Sequence, residues 1–549
     1  MVKYKILFNA LLAVVLFDVA GAQSFSEADS LRGQITPLRA CYDVLKYEID
    51  VKFPILTEQK ARDGKANYQI EGSVLFIASN TQNHQRLQLD LFSHLVIDSI
   101  VWKGRHLAFS RTANAVFVDF PELQQAGTDL IFRVYYRGDL IVAKRAPWDG
   151  GFVFTTDSSN KPWIGVACEG FGASSWWPCK DHLSDEPDQG VLLNISIPQN
   201  SGLMAVGNGR LVAREKVGDW ERFSWEVVNP INTYNVSVNI GDYSHFTDRY
   251  TAIDGEVRLL EYYVLSYQLE RAKAHFKQVG PMLQCFETVF GPYAFWEDGY
   301  KMVETPYWGM EHQSAVAYGN NYKNNKWGFD FIIIHESAHE WWGNSVSVAD
   351  HADMWIHEGF TTYAETIYLE CQSDQKTANA YLLEQRKRIA SKQPMVGPYE
   401  VNFTDTDTDV YFKGAWMLHT MRHSMANDSM FFSYLKNCYT EFYKQVTNTQ
   451  SMLNFWMMQM GEAYRPAWEH YLYSTVTPVL AWEQRGKGKK AKWFYRYEGV
   501  AKDFYLPLVA PNGDRLLPNL KWQVYKGNFD STMEAHLRAH YLIDIRKTK

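Results

Sequence analysis

Apolar and polar residues alternate with a period of two through the first half of the chain. The segments 72–77, 87–91 and 132–136 read as strands on this pattern. Turn residues such as Asp63-Gly64 and Gly138-Asp139 separate them. Past about residue 254 the period lengthens: Leu269, Ala272, Phe276, Val279 and Leu283 recur at helical spacing, and further helical stretches start near Phe329, Thr361, Ala378, Gly414 and Asn454. A short strand is expected at 300–303. Beyond Pro478 alternation returns, at 493–497 and 520–525. The pattern predicts a multidomain α+β protein: an antiparallel β domain over 23–250, a mainly helical domain over 251–475, and a small β-sandwich-like module over 476–549.

The first 22 residues differ from the rest. Lys3 and Lys5 precede an apolar run over 6–19, and Ala20-Gly21-Ala22 suits cleavage before Gln23. This predicts a signal peptide and an exported product, periplasmic or extracellular. The competing reading, an uncleaved anchor, meets an apolar run that is short for a bilayer. No later run is long enough to span a membrane.

At 549 residues the chain exceeds a single core, and its 46% apolar content suits a globular protein. A net charge of −7 gives no reason to expect nucleic acid as a partner. Six cysteines make no disulfide scaffold. Cys168 and Cys179 are close enough in sequence to pair, with buried free thiols as the alternative. The absence of a CxxC pair argues against a thiolate metal site. The basic run 485–492 is punctuated by Gly and reads as a solvated hairpin turn rather than an anion-binding loop.

The chemistry gathers around His335-Glu336-Ser337-Ala338-His339. On a helix the two imidazoles share a face and can meet one ion. Glu336, between them, can reach a water on that ion. Glu358 follows later, on a second helical stretch, and two His with one Glu form a zinc set that leaves a position open. One Zn2+ per chain is expected. Glu365, seven residues beyond Glu358, is expected to orient a ligand histidine. His357 is expected to make a local hydrogen bond rather than bind metal, and His351 lies nearby.

These blocks, with Tyr411-Phe412-Lys413-Gly414, Trp308-Gly309-Met310-Glu311-His312 and Trp176-Trp177-Pro178-Cys179, resemble the gluzincin aminopeptidases of the aminopeptidase N family. The resemblance covers about residues 40–475. It implies a β-saddle domain before a thermolysin-like catalytic domain, in a compact version without the long helical C-terminal domain. It further implies metal ligation by His335, His339 and Glu358, with Glu336 as general base. Tyr411 would stabilise the oxyanion, and Glu311 and Glu169 would bind the substrate's α-ammonium. Gly309 would give the peptide backbone room. The implied activity is removal of residues from peptide or protein N-termini. An endopeptidase on the same fold, or a non-catalytic peptide-binding relative, are the alternatives. Trp308 and His312 depart from the family motif, where Gly and Asn are usual; His312 can still donate a hydrogen bond.

Overall fold

The computed structural model describes residues 25–548 except 55, 57–58, 61–65, 68, 405–406 and 487–489. The expected signal segment and the turn at Asp63-Gly64 lie outside the described residues.

The alternating segments 72–77 and 132–136 lie in the central strands Gln69–Asn80 and Asp129–Asp139 of an eight-stranded sheet. Their inward residues, Val74, Phe76, Phe132 and Val134, are fully buried. The segment 87–91 overlaps His84–Asp90, in a separate three-stranded sheet that shares the same core. One pairing departs from an all-antiparallel domain: Tyr42–Lys52 runs parallel to Val191–Pro198, with Tyr47 opposite Val191. Alternation marks which face of a strand is buried but does not carry its partner or its direction.

A five-stranded sheet follows, in the order Tyr243–Thr251, Val257–Leu265, Tyr300–Glu304, Val316–Tyr318, Gly309–Met310. The expected strand at 300–303 is its centre. Gly309–Met310 is its last strand, so one row of backbone groups there has no strand neighbour.

Four helices carry the site: α1 (Phe331–Ala338), α2 (Trp355–Gln372), α3 (Gln375–Gln385) and α4 (Asp409–Met425). The Asp330 carboxylate caps α1 by accepting from Ile332 N at 3.1 Å. Every residue of α2 from Trp355 to Leu369 is buried. A helix enclosed on all sides has no polar stripe, so periodicity revealed it only from Thr361. Helices α2 and α4 pack with Gly359 against Gly414. A Cβ built on Gly414 would lie 2.8 Å from Gly359 Cα. This contact lets the helix of Tyr411 approach that of Glu358. Gly414→Ala is therefore expected to cost about 1–3 kcal/mol by overpacking. Denaturant unfolding checks this, and an unchanged midpoint contradicts it.

The C-terminal region holds a four-stranded sheet, ordered Gln523–Tyr525, Lys492–Glu498, Val479–Arg485, Asp544–Lys547. Helix Ser531–His540, not evident from alternation, joins it. Arg485 pairs with Lys492 across an antiparallel hairpin, while residues 487–489 of the basic run lie outside the described residues. Leu480, Tyr497, Leu537 and Ile543 belong to the same core as Trp355 and Trp416. The region thus packs into one core with α2 and α4 rather than standing on a core of its own.

Cys168 and Cys179 are buried free thiols, and the disulfide joins Cys285 to Cys371. The bridge ties helix Val279–Val289 to α2, a proximity that spacing in sequence does not reveal.

Candidate active site

Helix α1 turns His335 and His339 toward α2, and Glu358 of α2 meets them. Glu358 Oε2 lies 3.4 Å from His335 Nε2 and 3.5 Å from His339 Nε2. The far nitrogens are spoken for. His335 Nδ1 is 2.7 Å from Glu365 Oε1, and His339 Nδ1 is 2.9 Å from the Trp342 carbonyl. With the Nδ1 protons donated outward, two Nε2 lone pairs face a buried carboxylate oxygen that has no hydrogen-bond partner among the described residues. Three acceptors converging on one point need a cation.

The charge balance agrees. Burial opposes charging His335, yet the Glu358 and Glu365 carboxylates hold its pKa well above the usual imidazole value. His339 is likewise raised against burial, chiefly by Glu358. Glu358, despite burial, is held well below the carboxylate range by His339 and His335. A divalent ion at that point would replace these protons. The donor set fits zinc: two imidazoles and one carboxylate. His339 also belongs to a second convergent group, with Glu311 and Glu336. The first group is the better cage, because both its histidines are oriented through Nδ1.

Glu365 is fixed in turn by the Tyr381 hydroxyl and by Gln385 Nε2, both of α3. Sequence reasoning singled out Glu365 but missed these two residues; their only signal is a helix following α2 directly. Gly343 completes the support. Its φ is +139°, and a Cβ there would sit 2.9 Å from His339 Nδ1.

Glu336 faces the cavity beneath Gly309. A Cβ on Gly309 would lie 2.6 Å from Glu336 Oε1, so only glycine leaves that oxygen its place. Burial pushes the Glu336 pKa up to about 7, against the pull of His335 and His339. Tyr411, from the first turn of α4, stacks its ring beside His335 with centroids 6.1 Å apart. Burial, then repulsion from Glu358, raises its hydroxyl pKa well above 10, so it stays a neutral donor.

Glu311 follows the edge strand, and its Oε1 accepts from the Tyr234 hydroxyl at 2.9 Å. Tyr234, in the β domain, was not singled out by sequence reasoning. Glu169 comes from the loop after strand Pro162–Ala167. Burial and then Glu311 raise its pKa well above normal, with Glu358 and Glu336 adding to the repulsion. All eight expected site residues line one cavity of about 830 Å³. Its described basic wall residues are engaged elsewhere: Lys326 pairs with Glu384 and Arg388 stacks over Phe412. Glu169, Glu311, Glu336 and Glu358 therefore form a carboxylate cluster without a Lys or Arg counter-ion.

Among the described residues two buried histidines stand without hydrogen bonds, and His357 thereby differs from expectation. His312 is buried, and among the described residues neither of its ring nitrogens has a hydrogen-bond partner. Burial alone lowers its pKa to about 3. His357 is likewise buried and unbonded rather than a local hydrogen-bonding group. Both are buried by tertiary packing, which local sequence does not disclose. Trp308 lies at the cavity wall with its indole N–H donating to Asn320 Oδ1 at 3.0 Å. Among the described residues no helix is long and apolar enough to cross a membrane.

Residues 304–471 match the peptidase family M1 domain. Aminopeptidase B of Mus musculus is 23% identical over 323 residues, covering 56% of this chain and 47% of that protein. Leucine aminopeptidase 2 of Phaeosphaeria nodorum is 26% identical over 38% of this chain and 33% of its own length. The matches thus span a third to about half the length of these relatives. A mutant M1 zinc metallopeptidase from Deinococcus radiodurans, solved with a Tyr-Ser-Ala substrate, shares the fold. Its TM-score is 0.66 at 20% identity, over 80% of this chain and 95% of that one.

Proposed function

We propose, from a catalytic region that belongs to peptidase family M1, that this chain is a zinc-dependent aminopeptidase acting on free peptide N-termini. The observation that carries this reading is the pair Glu311 and Glu169, set in the cavity of the metal triad without a Lys or Arg partner among the described residues. Burial raises the pKa of both carboxylates, Glu169 further by repulsion from Glu311 and Glu311 further by repulsion from Glu358, which poises them for a cationic ligand. A peptide's α-ammonium, with a pKa near 8, is that ligand at neutral pH.

His335, His339 and Glu358 would hold the zinc ion, which supplies polarisation of the scissile carbonyl and of the attacking water. Glu336 takes the water's proton and returns it to the departing amine. Its pKa near 7 lets it do both at neutral pH. The Tyr411 hydroxyl donates to the carbonyl oxygen as charge develops there. Gly309 keeps the Glu336 carboxylate unobstructed and lets the peptide backbone lie along the free edge of its strand.

N-terminal acetylation of a peptide is expected to lower kcat/KM by about 10–100-fold, the loss of charge-assisted hydrogen bonds to Glu311 and Glu169. Glu311→Ala should lower cleavage of the free peptide by a similar factor and leave the acetylated one unaffected. Equal cleavage of free and acetylated peptides would instead favour an endopeptidase.

Export through the segment 1–22 is part of the same reading. The disulfide Cys285–Cys371 supports it, since such bridges persist in oxidising compartments. N-terminal sequencing of the chain recovered from its native host should begin at Gln23; retention of Met1 contradicts export by cleavage.

A further inference from the structure

Beyond the metal triad the cavity follows the edge strand to an aromatic wall built from two domains. Trp148 comes from a loop of the β domain, Trp308 precedes Gly309–Met310, and Phe331 opens α1. All three line the cavity. Trp148 and Trp308 meet edge to face with centroids 6.2 Å apart, and Trp308 meets Phe331 at 4.9 Å. The two indoles stay 65% and 41% exposed. Large aromatic faces left open in a cavity regain favourable burial when an occupant covers them. The hydrogen bond from the Trp308 N–H to Asn320 holds that ring in place and leaves its apolar face to the cavity.

The order of residues along the strand assigns the wall to one part of a peptide. Glu311 marks the amine end, Gly309 lies against Glu336, and Trp308 comes next. A peptide anchored at Glu311 presents its first peptide bond to Glu336, so the side chain of its second residue reaches Trp308. The Asp149 carboxylate beside Trp148 accepts from the backbone N–H groups of Lys144 and Arg145, so it is engaged rather than open to a basic side chain. We propose that Trp308 and Trp148 form the subsite for the second residue, the first of the leaving fragment, and select an aromatic side chain there. The assignment rests on the aminopeptidase reading, because Glu311 sets the register.

Calorimetry on zinc-loaded Glu336→Gln protein with the dipeptides Ala-Phe and Ala-Gly reads the wall without turnover. Aromatic contacts of this kind predict about 5–20-fold tighter binding of Ala-Phe. Adding Trp308→Gly, or separately Trp148→Ala, should bring the ratio below about twofold. The exposed loop position of Trp148 makes its variant a safe second test of the wall. A ratio near one in the parent, a ratio that survives both substitutions, or no binding of either dipeptide overturns the subsite. Native protein that fails to hydrolyse Ala-Phe while the calorimetric ratio and its loss hold would refute the aminopeptidase activity and leave the aromatic wall as a peptide-binding site without its assignment to the second residue.

Discussion

Glu336→Gln is expected to lower kcat by about 10²–10⁴-fold, the range of a positioned general base, while the protein keeps its zinc. The amide has the shape of the carboxylate but cannot accept the water's proton. The retained metal is the discriminating half of the result. Glu336 also belongs to the second convergent group, with Glu311 and His339. If that group held the ion, Glu336→Gln would release it. The first group makes no use of Glu336: its oxygens and nitrogens come from His335, His339 and Glu358. Full turnover in the variant would remove Glu336 from the mechanism. Lost turnover together with lost zinc would move the metal to the other group.

His339→Ala should abolish both. His339 is 1% exposed, lies between Trp342 O and Glu358, and belongs to both candidate metal groups. The Lewis-acid contribution of a catalytic metal, several kcal/mol, corresponds to about 10³-fold or more in rate. Metal analysis of the dialysed variant should find essentially no zinc. Near-wild-type metal content with unaltered kcat would exclude His339 as a ligand.

The metal set was legible because it rests on local geometry: a four-residue spacing on one helix, and a carboxylate on the next. The partners of that set were less so. Tyr381 and Gln385 reach Glu365 from α3, and Tyr234 reaches Glu311 from another domain. Such contacts arise from how elements pack, and no periodicity encodes them. Glu169 and Tyr411 were reached through family resemblance alone, since a lone carboxylate in a loop and a lone tyrosine carry no pattern. The same limit explains the cysteines: Cys168 and Cys179 are neighbours in sequence and stay free, whereas Cys285 and Cys371 are far apart and bonded. It also explains α2, whose complete burial erased the stripe that betrays an ordinary surface helix.

The proposed chemistry requires one zinc ion lodged among His335, His339 and Glu358. X-ray absorption at the zinc edge of the purified chain measures this directly. One zinc per chain with two imidazole nitrogens and carboxylate or water oxygens, at about 2.0–2.2 Å, is the predicted spectrum. A sulfur shell near 2.3 Å, a single imidazole, or a chain that binds no zinc after loading would contradict it.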